Sequence, residues 1–189
     1  MAAPLDATAQ NVFRNSDDYA LVGAEWIDRL KSAARRSPQR RARLCLHRAD
    51  DDTLHEMIIA LCNDCLFQPH RHPNKSESFH LIDGRLAVVI FDDVGQPVRS
   101  LLLTPPGQGG LICYRLCTPT FHAVLPLDDV VVFHEITNGP FRRGDAVVAE
   151  WAPSEPEGLR EFLHGAAVKA GLPQDLARRI RVPSVTARV

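Results

Sequence analysis

Two histidines, a glutamate and a glycine stand at fixed intervals in one short stretch of this chain: His70, His72, Glu77 and Gly84. Imidazole nitrogens and carboxylate oxygens are common ligands of divalent transition metals. Because side chains alternate along a strand, His70 and His72 point to the same side, and Pro73-Asn74 can turn the chain so that Glu77 returns on the next strand. The spacing therefore predicts three metal ligands that converge from one hairpin.

A fourth candidate ligand, His122, lies fifty residues beyond His72, where a proline-marked loop enters an apolar strand. Nitrogen and oxygen ligands without thiolate disfavour a structural zinc site and leave coordination positions open. A metal held in this way could polarise a carbonyl, generate a hydroxide or support oxygen chemistry. The predicted cofactor is one divalent transition metal, and the sequence does not distinguish Zn, Fe, Ni, Mn, Co and Cu.

Each of these residues also has an alternative interpretation without a metal. His70 and His72 could be surface histidines in a loop, and Glu77 could be a carboxylate at the start of a strand paired with Lys75. His122 could be a packed histidine in the core. The combined spacing favours the metal site, because the glutamate and glycine positions would otherwise be coincidence.

The motif His-x-His-x4-Glu-x6-Gly resembles the first cupin motif, and His122 stands where the second cupin motif supplies its histidine. From Asp18 to Pro153 the chain is similar to the WbuC-type cupin-fold metalloproteins that are associated with bacterial O-antigen gene clusters. The segments that carry this resemblance are Arg36-Ser37-Pro38-Gln39-Arg40-Arg41, Gln68-Pro69-His70-Arg71-His72, Phe91-Asp92, Gly139-Pro140 and Trp151-Ala152-Pro153.

The resemblance implies an all-β core with flanking helices, in which a double-stranded β-helix, or jelly-roll barrel, closes over a small site for one metal ion. It implies that His70, His72, Glu77 and His122 are the ligands. It also suggests a role in cell-surface polysaccharide metabolism.

The composition is that of an ordinary globular protein: 189 residues, 45% hydrophobic and 24% charged, with a net charge of -1. This charge gives no general attraction to nucleic acid or to an anionic membrane. No apolar run approaches the roughly 20 residues that cross a bilayer, and the first residues lack the features of a signal peptide. We therefore expect a cytoplasmic protein that binds neither nucleic acid nor membrane.

A local basic run, Arg35-Arg36, Arg40-Arg41 and Arg43, is the exception to this balanced charge. It falls near the end of a predicted helix, where cations complement the helix dipole. This placement favours a structural or solvated role over phosphate recognition.

The chain has five cysteines, an odd number that argues against a disulfide framework in the cytoplasm. The pair Cys62-x-x-Cys65 could suggest redox or zinc chemistry, but Asn63-Asp64 between them is typical of a turn, and no helix follows. We expect both thiols to be buried structural groups.

The predicted organisation is a loose segment over 1–17, a cupin domain over 18–153 and a helical extension of the same domain over 154–189. A helix over 18–36 is expected to bury Leu21, Trp26, Ile27 and Leu30. Strands separated by turn residues are expected next, and Asp83-Gly84 is typical of a tight hairpin. The predicted strands are 43–47, 55–62, 66–72, 77–82, 85–91, 98–103, 111–116, 121–127 and 130–136, and the predicted late helices are 158–170 and 174–179.

Four further residues are weaker candidates for the site. Gln68 shares the face of the two histidines and could contact a ligand, although a core amide bonded to backbone is equally expected. Phe79 shares the face of Glu77 and would form an apolar wall. Glu135 is a candidate acid or base, with a salt bridge at the rim as its alternative. Tyr114 could donate a proton into the cavity, with a buried hydroxyl bonded to backbone as its alternative.

These features predict a mononuclear metal-binding cupin that acts on or binds a small organic molecule. If it is an enzyme, dioxygenase-like and isomerase-like or lyase-like reactions are the candidates. A non-catalytic sensor or binding module is the alternative, and a metal-free sugar isomerase is a third interpretation. A homodimer is also expected, through Leu101-Leu102-Leu103 or Val130-Val131-Val132.

Overall fold

The structure is a computed structural model that describes residues 11–142 and 144–180. These residues form eleven strands and three helices. The strands are β1 (Val12–Arg14), β2 (Arg41–Cys45), β3 (Leu54–Cys62), β4 (His70–Arg71), β5 (Glu77–Asp83), β6 (Leu86–Phe91), β7 (Pro97–Leu103), β8 (Cys113–Leu116), β9 (Phe121–Pro126), β10 (Val130–Asn138) and β11 (Val147–Val148). The helices are α1 (Ala24–Arg36), α2 (Pro156–Lys169) and α3 (Gln174–Ala177).

The strands belong to two sheets. The first sheet has the order β1-β2-β3-β10-β5-β8, and the second has the order β11-β4-β9-β6-β7. Strands β3 to β10 alone give the orders 3-10-5-8 and 4-9-6-7, which are those of an eight-stranded jelly roll built from two Greek keys. The predicted fold class is confirmed, although in the described part of the chain the two sheets remain separate and do not close into one barrel.

The inner core lies between the two sheets. Residues from both sheets contribute to it, because alternate side chains of each strand point inward. The buried members of this cluster are Leu61, Cys65, Phe79, Leu81, Leu86, Val88, Leu103, Tyr114, Val124, Val131 and Phe133.

Helices cover the outer faces of both sheets. Helix α1 packs Leu30 against the outer face of the first sheet, where Val130 and Val132 are buried beneath it. Helices α2 and α3 cover the second sheet, and Leu163 of α2 is part of that buried cluster. The chain is therefore layered as helix, sheet, sheet, helix. No helix within residues 11–142 and 144–180 has both the length and the apolar character that a membrane span requires.

Helix α1 begins at Ala24, so the prediction of a helix from residue 18 is wrong at its start. The side chain of Asn15 bonds to both the backbone N–H and the carbonyl of Asp17, which stabilises a local turn instead of a helix. Leu21 consequently precedes the helix and is 75% exposed, contrary to the predicted buried stripe. The other three members of that stripe, Trp26, Ile27 and Leu30, do face the core.

The segment expected to be loose contains a strand. Strand β1 pairs with β2 in parallel, and the backbone N–H of Arg43 donates to the carbonyl of Asn11 at 2.8 Å. Phe13 of β1 also contacts the ring of Trp26 in α1, at 5.7 Å between centroids. Residues 1–10 of the expected loose segment lie outside the described residues.

Two segments predicted as hairpins, between β4 and β5 and between β5 and β6, instead connect strands of different sheets. Strand β5 belongs to the first sheet, whereas its neighbours along the chain, β4 and β6, belong to the second. Gly84 makes the second link with a φ of +79°, and a Cβ there would lie 3.1 Å from the side chain of Val131. The glycine of the motif is therefore required by a close crossing between sheets and by its backbone conformation.

One surface proposed for a homodimer, Val130-Val131-Val132, is covered within the chain itself, and the other, Leu101-Leu102-Leu103, is partly covered, because Leu101 and Leu102 are half-buried. Val130, Val131 and Val132 are buried, and so is Leu103 at the end of the other surface. Val130 and Val132 pack under α1 and Val131 lies in the inner core, so the valine segment is not a free apolar face. The homodimer itself stays a prediction.

Replacement of Leu30 tests this packing. Leu30 of α1 is 0% exposed, so Leu30→Ala should lower the free energy of unfolding by about 3 kcal/mol through lost burial and a cavity. Leu21→Ala is the matched control, because Leu21 is exposed and should change stability by less than about 0.5 kcal/mol. Urea denaturation followed by circular dichroism measures both, and equal losses would contradict the packing.

Candidate metal centre

Three histidines meet at one place in the second sheet. His70 of β4 is directly paired with His122 of β9, and their ring centroids are 4.6 Å apart. His72 follows β4 on the same side as His70, at 5.1 Å between ring centroids. One ligand atom from each of the three rings lies within 4.8 Å of the others. The cluster matches the alternation expected from the sequence, and the alternative of splayed surface histidines does not describe it.

The Nδ1 atoms of all three histidines face backbone carbonyl oxygens. A carbonyl can only accept a hydrogen bond, so each Nδ1 carries the proton and each Nε2 presents a lone pair. Such bonds fix the orientation of metal-binding histidines in many proteins. The pairs are His70 with Gln68 at 3.2 Å, His122 with Thr120 at 3.0 Å and His72 with Asp145 at 3.4 Å.

Glu77 approaches this cluster from the first sheet. Its Oε1 lies 2.9 Å from Nε2 of His122, and its Oε2 lies 3.5 Å from Nε2 of His72. The hydroxyl of Tyr114 donates to Oε1 at 3.4 Å. Glu77 is 4% exposed, so its carboxylate is almost removed from water. The link between β4 and β5 thus brings the glutamate to the histidines from the opposite sheet, and not from a hairpin partner.

Nε2 of His122 is an unusual buried atom. Among the described residues no hydrogen-bond donor or acceptor satisfies it, although the carboxylate of Glu77 is only 2.9 Å away. With its Nδ1 proton given to Thr120, this nitrogen and the carboxylate oxygen are both acceptors, and two buried acceptors at this distance repel each other. A positive charge placed between them, a proton or a metal cation, removes the conflict.

The protonation states suit a metal. Burial, helped by nearby His122, lowers the pKa of His70 to about 4, so this imidazole is neutral at pH 7. Burial alone would raise the pKa of the Glu77 carboxyl, but contacts with His122 and His72 outweigh it and hold the pKa well below its usual range. The contact with Glu77 in turn raises the pKa of His72. The site thus offers a neutral imidazole at His70 and an ionised carboxylate at Glu77, the forms that bind metals, whereas at His72 a metal would have to displace a proton that the contact with Glu77 favours.

Lys75 does not pair with Glu77, which removes the alternative considered for that glutamate. Its ammonium lies 2.8 Å from a carboxylate oxygen of Asp145 and donates to the carbonyl of Pro140 at 2.9 Å. Because the carbonyl of Asp145 also faces His72, the same residue fixes both the lysine and one histidine.

A cavity of about 360 Å³ opens beside the histidines, between the two sheets. This inner cavity is large enough for a small organic molecule. Its lining residues are Asn11, Val12, Gln39, Arg41, Ala42, Arg43, Met57, Ile59, Leu61, Phe67, His70, His72, Glu77, Phe79, Val124, Phe133 and Glu135.

Two of the weaker candidates line the inner cavity. Phe79 forms part of its apolar wall and stacks on Phe133 at 4.5 Å. Glu135, opposite Phe79 in the sheet, presents a carboxyl group to the cavity. Burial and the nearby charge of Glu77 raise the pKa of Glu135 to about 8.

The other two weaker candidates, Gln68 and Tyr114, are absent from the cavity lining and form hydrogen bonds beside the site. The side-chain amide of Gln68 donates to the carbonyls of Ala152 and Pro153 at 3.3 and 3.2 Å, which matches its interpretation as a core amide. Tyr114 bonds to the carboxylate of Glu77 and not to backbone. Burial raises the pKa of Tyr114 well above its usual value, so the hydroxyl stays protonated as a donor.

Arg41 and Arg43 line the inner cavity, a position that sequence analysis missed. The basic run was interpreted as the end of a helix, but α1 ends at Arg36 and strand β2 begins at Arg41. The signal was present, because arginines two residues apart in a strand share a face. Arg35 and Arg40, in contrast, form ion pairs with surface aspartates, as a structural role predicts.

Cys62 and Cys65 are both buried free thiols. Burial raises the pKa of Cys65 to about 11 and also raises that of Cys62, so neither thiol is activated as a thiolate. Cys65 donates to the carbonyl of Gln39 at 3.3 Å. These contacts agree with the structural role expected from the sequence.

One family model matches part of the chain. Residues 22–103 match a family model described as a domain of unknown function, DUF6016. No curated protein matches the chain. The family match covers less than half of the chain, and its description states no activity.

Several solved structures are similar in fold at low identity. Protein SO0799 from Shewanella oneidensis is 10% identical over 70% of this chain and 77% of its own, with a TM-score of 0.46. KdgF from Halomonas sp. is 16% identical over 57% and 85%, with a TM-score of 0.43. A sugar phosphate isomerase from a cupin superfamily, from Silicibacter pomeroyi, is 17% identical over 47% and 52%, with a TM-score of 0.37. The jelly roll is identified from the strand order of the chain itself.

Proposed function

We propose that the chain binds one divalent transition metal ion through His70, His72, His122 and Glu77, and that it presents the ion to a small organic molecule in the inner cavity. The observation that carries the proposal is a cluster of three histidines, each with one ring nitrogen within 4.8 Å of the others, beside which the buried carboxylate of Glu77 lies 2.9 Å from Nε2 of His122. A buried carboxylate facing nitrogen acceptors is costly unless a cation compensates it.

The donor set fits a catalytic or ligand-binding metal better than a structural one. Three imidazoles and a carboxylate suit Zn, Fe, Ni, Mn, Co and Cu alike, so the set does not select the metal. When bound, such a metal supplies Lewis acidity or, for a redox-active ion, oxygen chemistry. The two buried cysteines of the Cys62-x-x-Cys65 motif are held elsewhere and add no thiolate.

Other residues of the chain would orient the ligands, shape the cavity and transfer protons. Tyr114 donates to Glu77 and orients it, and the carbonyls behind the histidines fix their rings. Phe79 and Phe133 give the inner cavity an apolar wall. Glu135 places a carboxyl group in the same cavity, where it can take or give a proton. An acid or base in this position favours an enzyme over the alternative of a binding module.

The biological setting of the proposal comes from the resemblance in sequence. The WbuC-type similarity extends the proposal to cell-surface polysaccharide metabolism. A sugar or a sugar derivative is therefore a reasonable ligand to test first.

Removal of single ligands tests the metal site. His70→Ala, His122→Ala and Glu77→Gln should each lower metal affinity at least about 100-fold, because changes in groups that merely support ligands already cost 10- to 100-fold. Elemental analysis of protein purified without affinity resin or chelator, followed by titration with Zn²⁺, measures the effect.

His80→Ala is the matched control for these variants. His80 lies on the same strand as Glu77 but is exposed on the opposite face. Its replacement should leave metal content unchanged. Metal content that is equal in all of these variants and in the unchanged protein would refute the site.

Tyr114→Phe tests the support of Glu77. The change keeps the aromatic ring in the core but removes the hydroxyl that donates to the carboxylate. Metal affinity should fall about tenfold, as for other groups that orient metal ligands, with little loss of stability. Competition with a chromophoric chelator measures the affinity. Tyr19→Phe, at the other and exposed tyrosine, should leave it unchanged, and an unaltered affinity in Tyr114→Phe would contradict the role.

Turnover separates an enzyme from a binding module. Protein reconstituted with Fe(II) under anaerobic conditions can be exposed to oxygen and to a panel of sugars and organic acids. Oxygen uptake that depends on one compound and disappears in Glu135→Gln would support an iron-dependent enzyme that uses the carboxyl group of Glu135.

A further inference from the structure

The inner cavity contains a second set of charged groups besides the metal ligands. Arg41 and Arg43 on β2 both line it, and their cross-strand partners Leu61 and Ile59 on β3 line it too. The two guanidinium groups therefore share one wall of the cavity. No other arginine or lysine belongs to the lining within residues 11–142 and 144–180.

Arg41 is held in place by neutral neighbours. Its guanidinium lies over the ring of Phe67, 5.1 Å from the centroid, and its Nε donates to Oε1 of Gln39 at 3.3 Å. The amide of Asn11 donates to the same Oε1 at 3.1 Å. These contacts orient the guanidinium without neutralising its charge, as in sites prepared for an anion.

Neither cavity arginine forms an ion pair with an acidic residue in the described part of the chain. The flanking arginines differ in this respect, because Arg35 pairs with Asp129 and Arg40 pairs with Asp64. Arg41 is half-buried and Arg43 is exposed at the cavity, and no acidic residue within 11–142 and 144–180 neutralises either charge through an ion pair.

The geometry points to a small organic anion as the ligand of the inner cavity, with a carboxylate or phosphate group held by Arg41 and Arg43. This inference rests on the proposed function for its second attachment point, the metal on the opposite side of the cavity. Guanidinium groups bind both carboxylate and phosphate through paired hydrogen bonds, so these two groups share one recognition chemistry.

The size of the cavity sets the length of the anion. Strand β2 is three strands away from β5, which carries Glu77, in the order β2-β3-β10-β5. At roughly 4.8 Å between neighbouring strands the backbones are about 14 Å apart. The side chains of Arg43 and Glu77 shorten the gap, so a chain of about four to eight carbon atoms would span it.

The charge of the cavity also favours an anion. The lining carries two arginines and two carboxylates, those of Glu77 and Glu135. A divalent metal ion adds two positive charges, so the cavity has an excess of positive charge even with both carboxylates ionised. A neutral ligand would leave this excess uncompensated in a site partly removed from water.

Calorimetric titration of the Zn²⁺-loaded protein tests the inference. The probes are succinate, adipate and suberate with the neutral adipamide, and glucose 6-phosphate with neutral glucose. We expect at least one anion to bind at least tenfold more tightly than its neutral counterpart. Comparison of the dicarboxylates with glucose 6-phosphate shows whether the anionic group is a carboxylate or a phosphate.

The arginines are then replaced one at a time. Arg41→Gln and Arg43→Gln should each weaken binding of the preferred anion at least tenfold and leave zinc content and thermal unfolding unchanged. Arg99→Gln, at an exposed arginine on β7 of the other sheet, is the matched control and should bind as the unchanged protein does.

Two results would overturn the inference: no anion preferred over its neutral counterpart, or equal anion binding in all of these variants. Neither result would count against the metal site, because zinc content is measured separately on the same samples. Absence of zinc would instead refute the proposed function. The anion titrations are then repeated on the metal-free protein, where loss of binding in both arginine variants supports the arginine site and equal binding overturns it.

Discussion

The buried carboxylate of Glu77 is the constraint on which the site depends. It is ionised, almost inaccessible to water and faces Nε2 of His122 at 2.9 Å and Nε2 of His72 at 3.5 Å, so a positive charge between these atoms would stabilise it. Only the hydroxyl of Tyr114 donates to it among the contacts of the described residues. Because the carboxylate belongs to one sheet and the histidines to the other, both sheets of the sandwich must be packed at their normal separation for the site to exist. The candidate metal site and the hydrophobic core consequently depend on the same packing of the two sheets.

Local alternation explains why so much of the site could be predicted from the sequence. His70 and His72 share a face for the same reason that any residues two apart in a strand do, and the rule needs no knowledge of the fold. The pairing of His70 with His122 is different, because it depends on β4 and β9 being neighbours in one sheet. That neighbour relation came from the resemblance to cupins and not from the spacing itself. The jelly-roll class followed from the density of short strands and turns together with the same resemblance.

The sequence predictions were wrong where one local sequence pattern is compatible with two different structures. Asp83-Gly84 suits a hairpin, but the same positive φ serves a crossing between sheets, and only the partners of β5 and β6 decide between them. The arginines were misplaced because the basic run lies at the junction of α1 and β2, and the boundaries of elements are the least certain part of a sequence prediction. Shifting the start of the strand by two residues places Arg41 beside Arg43 on the inner face. Strand β1 was missed since its three residues pair only with a partner about thirty residues away.

The three histidines differ in how their orientation is fixed. His70 and His122 bond to the carbonyls of Gln68 and Thr120, two residues earlier in the chain and just before β4 and β9, so their rings are oriented by local backbone. His72 instead faces the carbonyl of Asp145, seventy-three residues away, and Lys75 ties the side chain of that aspartate to the link after β4. Two ligands are therefore held by local structure, whereas the third depends on a distant segment. Displacement of the segment around Asp145 would remove the hydrogen bond that orients His72 and would leave those of His70 and His122 in place, so among the three candidate ligands only His72 depends on a distant part of the chain.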